Sequence, residues 1–163
     1  NYGILRYFNV CGASPSGKIG IISKGDHLFK NISVAAMKKK PIIKIYGNDY
    51  NTPDGTAIRD FIHVSDLAEV HYRVLNAISK SKQSKVLNCG YSRGLSVKQV
   101  VNEFRNQINK PFQIKFKNRR TGDMEMLIAN NAILKKLINW KPKYNNLTTI
   151  VRSCIRWEKK INS

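Results

Sequence analysis

"YGNDYNTPDGTAIRDFIHVSDLAE", residues 46–69, changes its grammar halfway along. Residues 47–60 are dense in Gly, Asn, Asp and Pro, which supply positive φ, fixed φ and local side-chain turns, so they read as one long irregular segment. A loop of that length inside a compact domain is a place where function concentrates. Beyond it the spacing becomes helical. Leu67, Val70, His71, Val74, Leu75 and Ile78 fall on one face, and Ser65 or Asp66 is the expected N-cap. Just ahead of the loop, "IIKIY" (residues 42–46) is a short apolar strand.

Working outward, "GILRYFNV" (residues 3–10), "KVLN" (85–88) and "FQIKF" (112–116) carry further strand signals. Val97, Val100, Val101, Phe104 and Ile108 repeat the helical face, opened by a capping box of Ser96 and Gln99. Leu147, Ile150, Val151 and Cys154 form another face with Trp157 close to it, and shorter helices are expected near residues 27–37 and 131–137. Strands and helices alternate irregularly, which gives a mixed α/β piece. "GILRYFNV" reads as a strand of a larger parallel sheet, with an unpaired edge and an uncovered apolar face. The chain opens at Asn1, directly into that run, and is read as a piece of a longer protein.

"VCGASPSGKIG" (residues 10–20) has the G-x-x-x-x-G-K spacing of a phosphate-binding loop. Such a loop needs a Ser or Thr hydroxyl after the lysine and a helix N-terminus behind it. Ile19 occupies the hydroxyl position and "IGIISKGD" is a poor helix start, so the nucleoside-triphosphate reading fails.

At 163 residues and 42% hydrophobic content, one ordinary core is expected. No apolar run approaches the roughly 20 residues of a membrane span, and the chain is read as soluble, cytoplasmic and without a membrane partner. The net charge of +19 raises nucleic-acid binding. Apart from "MKKKP" and "KFKNRR" the lysines are dispersed, however, and no aromatic-plus-basic signature accompanies them, so a solvated basic surface is preferred. Cys11, Cys89 and Cys154 are odd in number and far apart, and are read as buried reduced thiols. His27, His63 and His71 lack metal-ligand spacing. No metal site is expected.

"LRYFNVCGASPSG", "IYGNDYNTPDGTAIRDFIHVSDLAEVH", "VLNCGYSRGLSV", "RRTGD" and "LINWKP" resemble, in order and spacing, the C-terminal half of the UDP-glucose 4-epimerases, within the extended short-chain dehydrogenase/reductases. The resemblance covers nearly the whole of residues 1–163. It implies the last elements of an NAD-binding Rossmann-type fold running into a small mixed α/β substrate-binding domain, with the N-terminal cofactor-binding part absent. The complete enzyme would interconvert UDP-glucose and UDP-galactose through a 4-keto sugar with bound NAD, as a homodimer in galactose metabolism. The family's glycine fingerprint and its catalytic Tyr-x-x-x-Lys precede this segment, and Tyr2 is followed four residues on by Arg6. No catalytic residue is therefore expected in this chain, and alone it should be inactive.

What the resemblance assigns to this half is the hold on the nucleotide. Arg59 and Arg120 match the diphosphate-binding positions, and Asp123 the carboxylate that accepts from the ribose hydroxyls. Lys44 and Tyr46 match the backbone beside uracil, and Asn9 the asparagine near the sugar and diphosphate. His27 and Leu28 match the start of the closing helix, and Tyr7 and Phe8 line the nicotinamide and sugar region. Leu127 matches the residue beside the sugar's 2-substituent. Taken singly, each has a plainer reading: an Arg59–Asp60 surface ion pair, a solvated Arg119–Arg120 run, a turn at Asp123, core for Phe8 and Leu127. Two departures stand out. Lys30 replaces the family's usual proline two residues after Leu28, and "IISKGD" reverses a usually acidic stretch. The alternatives are another nucleotide-sugar epimerase or dehydratase, and a basic nucleic-acid module.

Overall fold

In the computed structural model the described residues are 1–23, 25, 27–108 and 110–163. Lys24 and Asp26 of the "IISKGD" stretch, and with them its reversed charge, lie outside the described residues.

"GILRYFNV" forms two strands rather than one, β1 (Gly3–Tyr7) and β2 (Asn9–Cys11), interrupted at Phe8. The break redirects the chain between partners. β1 runs parallel to β5 (Lys85–Cys89), while β2 runs parallel to the second half of β4 (Ile58–His63). Among the described residues β1 has no partner on its other edge, and Ile4 and Tyr7 along it, with Tyr2 just ahead, are about half exposed or more. β3 (Ile42–Tyr46) pairs in parallel with β7 (Gln113–Lys117).

β4 is the hub, and it corrects the expected loop, whose last three residues belong to this strand. Residues 58–60 pair antiparallel with β6 (Gly94–Ser96), and Ile58 and Arg59 also pair in parallel with β8 (Met126–Leu127). Sequence concealed this because "IRD" is polar where a buried strand is apolar. Tertiary partners satisfy it instead. The Asp60 carboxylate is buried and accepts from the backbone N–H of Tyr91 (2.8 Å), Ser92 (2.9 Å) and Ala129 (3.2 Å). The Arg59–Asp60 surface pair therefore does not form.

Strand alternation at β4 divides the interior in two. Phe61 faces a core made by α1 (Leu28–Ala36), α3 (Val97–Ile108) and α5 (Leu147–Ile161), where Phe29 packs edge-on to Phe61 and Phe104 with centroids at 5.1 and 5.7 Å. Ile62 faces the other core, between α2 (Val64–Ser81), β5 and α4 (Ala132–Ile138), with Val70, Val74, Leu87, Leu134 and Trp140. Truncating a side chain such as Phe104 in so closed a site costs about 3–5 kcal/mol.

The expected start of α3 is found, and that of α2 is corrected. Ser96 and Gln99 exchange the expected capping-box bonds at 3.0 and 2.8 Å. α2, however, is capped by His63, whose Nδ1 accepts from Ser65 N–H at 3.1 Å. Gly12 makes room for this imidazole: its φ is +86°, and a Cβ there would stand 2.3 Å from His63 Cδ2.

The segment with phosphate-loop spacing is a structural turn packed on α5. Ser14 Oγ accepts from Lys18 and Ile19 N–H, while the carbonyls of Ser14, Pro15 and Gly17 accept from Arg156 and Lys160. Among the described residues no helix follows Lys18 until Leu28. All three cysteines are free and buried. No helix among the described residues is long and apolar enough to cross a membrane.

Candidate functional site

A cavity of about 440 Å³ opens between the first turns of α1, the length of β3, the middle of β4 and the turn at residues 120–123. Each wall follows from a local rule. Leu28, Asn31 and Ile32 recur at helical spacing, so one face of α1 lines it.

β3 contributes backbone as well as side chains. Gln113 N–H donates to Pro41 C=O and Gly47 N–H donates to Lys117 C=O, at 3.0 and 2.8 Å. Residues 41, 43, 45 and 47 therefore turn their peptide groups toward β7. Strand alternation turns those of Ile42, Lys44 and Tyr46 to the opposite edge, which no strand covers among the described residues. That edge borders the cavity and presents a row of N–H donors and C=O acceptors to whatever enters it.

The charged wall comes from two elements far apart in sequence. Arg59 projects from β4 with 12% of its side chain exposed. Its Nη1 donates to Ile58 C=O at 2.8 Å, and its Nη2 forms a close ion pair with Asp123 Oδ1. Asp123 is placed by a turn in which Gly122 takes φ +77° and Asp123 N–H donates to Arg120 C=O at 3.1 Å. Arg120 lies over the Tyr46 ring with Cζ 4.0 Å from its centroid, so its planar cation is held at the cavity edge by the end of β3. Arg119 points the other way, 4.3 Å above Tyr50, with Nε donating to Asp49 at 2.8 Å. "NRR" is thus two separate devices rather than a solvated run.

The local electrostatics follow from these contacts. The hydrogen bond from Arg119 holds the Asp49 carboxyl below its ordinary range. Burial, reinforced by the Asp123 carboxylate, pushes the Tyr50 phenol up. Burial raises Asp60 despite the backbone amides that donate to it. The described residues include no cluster of metal-ligating side chains.

Of the residues singled out from sequence, Asn9, Leu28, Lys44, Tyr46, Arg59, Arg120 and Asp123 line this one cavity. The others lie outside its lining. His27 Nε2 donates to Val10 C=O at 2.6 Å and ties the entry of α1 to β2. Leu127 sits on β8 in register with Arg59. Tyr7 is exposed at the end of β1 with its ring 6.3 Å from that of His71, and Phe8 is half-buried at the break between β1 and β2. Asn31, Ile42, Phe61 and Val97 were missed. The helical spacing from Leu28 would have pointed to Asn31; the rest are apolar residues indistinguishable in sequence from core.

Residues 1–90 match the family described as NAD dependent epimerase/dehydratase. A UDP-glucose 4-epimerase of Azospirillum brasilense is 42% identical over 159 residues, 97% of this chain and 46% of that protein. Among solved structures, the UDP-glucose 4-epimerase of Stenotrophomonas maltophila with bound NAD and formylated UDP-arabinopyranose superposes with a TM-score of 0.93 at 31% identity, over 98% of this chain and 48% of the other. That of Bifidobacterium longum in complex with NAD+ and UDP gives 0.88 at 33%, over 97% and 47%. The chain spans about half the length of each of these relatives.

Proposed function

The chain belongs to the NAD dependent epimerase/dehydratase family, and from that premise we propose that it is the nucleotide-sugar-binding part of a UDP-glucose 4-epimerase. In this reading residues 1–163 end a Rossmann-type fold and supply the substrate domain. The complete protein interconverts UDP-glucose and UDP-galactose, serves galactose metabolism in the cytoplasm and works as a homodimer.

One observation carries the proposal. A strand edge that no strand covers among the described residues, two arginines and a carboxylate converge on a single cavity, each suited to a different part of the same ligand. The open edge of β3 at Lys44 and Tyr46 offers a donor and an acceptor to the edge of a uracil, which itself carries one N–H between two carbonyls. Arg59 and Arg120 face the diphosphate with planar, charge-assisted donors. Asp123 supplies two acceptor oxygens for a vicinal diol. Asn9, at the start of β2, is left for the junction of phosphate and sugar. A reaction that must present both faces of a sugar to one reactive centre needs a firm hold on the nucleotide and a loose one on the sugar.

NAD, when bound to the complete protein, supplies the hydride acceptor. Tyr7 and Phe8 fit a place beside it, because they stand at the C-terminal end of parallel strand β1, where open α/β sheets receive nucleotides. The dinucleotide fingerprint G-x-G-x-x-G does not occur in the 163-residue sequence, and the G-x-x-x-x-G-K run is a turn packed on α5. None of its seven tyrosines is followed four residues later by a lysine. The chain alone is accordingly proposed to bind UDP-sugar without turning it over.

Calorimetric titration tests this. UDP and UDP-glucose should bind the chain and compete with each other, and CDP, whose base edge exchanges donor and acceptor at N3 and at the group on C4, should bind more weakly. Equal affinity for CDP and UDP, or no binding of either, overturns the reading.

A further inference from the structure

Arg59 and Asp123, the two side chains that different parts of the ligand would use, are clasped to each other. We propose that this clasp makes Asp123 a selectivity device: it holds the cavity closed to free inorganic phosphates and opens Arg59 only to an anion that also carries a vicinal diol. The inference rests on the nucleotide-sugar reading of the cavity.

The argument is one of donors and acceptors. Arg59 is largely buried, and its two Nη atoms are engaged by Ile58 C=O and Asp123 Oδ1. An incoming phosphate competes with Asp123 for the guanidinium, and beyond a P–OH proton it offers the displaced carboxylate no donor, where a vicinal diol offers two. In a partly buried site the two anions then repel at close range. A nucleoside diphosphate brings both partners at once. Its ribose hydroxyls are donors that Asp123 can accept from, so the carboxylate moves from one partner to another instead of being stranded, and Arg59 is freed for the diphosphate. Asp123 is free to make that exchange: it is 29% exposed, and it sits in a turn rather than a strand, beside Gly122, around which a side chain would meet nothing. Arg120 stacks on the Tyr46 ring, with Cζ 4.0 Å from its centroid.

The test compares dissociation constants of UDP and inorganic pyrophosphate for the 163-residue chain and for Asp123→Asn, by calorimetry at fixed ionic strength. A structural residue would lower both affinities when replaced, and a carboxylate that only contacted the ribose would lower that of UDP and leave that of pyrophosphate level. The clasp requires opposite signs: pyrophosphate should bind Asp123→Asn about tenfold more tightly than wild type while UDP binds more weakly, on the scale of one charged hydrogen bond. Asp123→Glu keeps the carboxylate and should retain the wild-type preference. Asp123→Ser, smaller and neutral, gives a second reading at a turn position that tolerates it, and should again gain pyrophosphate. If wild type binds UDP but pyrophosphate affinity stays level or falls in both neutral variants, the selectivity role is wrong and the nucleotide reading survives. If wild type binds no UDP, the reading of the cavity is wrong and the clasp proposal falls with it.

Discussion

Lys30 Nζ lies 2.7 Å from Glu158 Oε2, both side chains more than nine-tenths buried, which pins the first turn of the cavity-lining helix α1 to the last turns of α5. Lys30 stands where the family usually has proline, which suits a first helical turn. A cation so close to a helix N-terminus is disfavoured by the backbone dipole, and Glu158 offsets it. The second oxygen of Glu158 accepts from Asn162 Nδ2 at 3.0 Å, so both oxygens of the carboxylate are satisfied.

Removing one member strands the other. Glu158→Ala is expected to destabilise the chain by about 3–5 kcal/mol, whereas Lys30→Met with Glu158→Leu should recover most of that, as apolar replacements of buried pairs do. Urea unfolding of the single and double variants measures it. A single variant that costs no more than a surface pair would show that water reaches the site.

Arg120 is held on the Tyr46 ring and faces the cavity. Arg120→Ala is expected to weaken UDP binding by about 1.5–3 kcal/mol, the scale of a hydrogen bond to a charged group. Arg120→Lys should recover only part, since an ammonium neither stacks as a plane nor donates in parallel. In the complete enzyme the same loss should raise KM more than it lowers kcat, because the diphosphate is held throughout the reaction. Unchanged UDP affinity in Arg120→Ala would remove this arginine from the binding site.

His63 links stability to pH. Burial lowers its pKa, opposed by the nearby Asp66 carboxylate. Its Nδ1 already accepts from Ser65 N–H, so the ring proton sits on Nε2, 3.4 Å from Ser153 Oγ, and Tyr144 stacks on its face at 4.7 Å. A second proton would have to enter at the capping nitrogen. The unfolded chain takes up that proton near pH 6.5 and the folded chain only at lower pH. The stabilisation is therefore full above about pH 6.5 and lost as pH falls toward the depressed folded value, at no more than about 1.4 kcal/mol per pH unit. His63→Gln should flatten the profile between about pH 7.5 and 5.5. An equal slope in wild type and variant would assign it to other groups.

Lys44 and Lys115 stand directly opposite each other on β3 and β7, both exposed. Like charges facing across strands are destabilising, and opposite charges contribute roughly 0.2–1 kcal/mol. Lys115→Glu should raise the melting temperature at low salt, and the gain should shrink as salt is added. A gain that ignores salt would point to strand propensity rather than charge.

Much of this protein was legible in order along the chain. Helical spacing located α2, α3 and α5, because an amphipathic helix writes its buried face into consecutive turns. The Ser96–Gln99 box was readable because both partners lie three residues apart. The candidate ligand contacts Arg59, Arg120 and Asp123 came from resemblance, since nothing local separates them from surface charge. Only the tertiary structure decided what depends on distant partners. β4 is a strand because amides of residues 91, 92 and 129 satisfy Asp60. The run from Gly3 splits because β5 and β4 claim its two halves. Lys30 is buried because Glu158 reaches it across 128 residues of chain. The Arg59–Asp123 clasp spans 64 residues. A side chain's type sets what it can bond to, but whether a charge faces water, another charge or a ligand depends on which other elements pack beside it, and local periodicity carries no record of that.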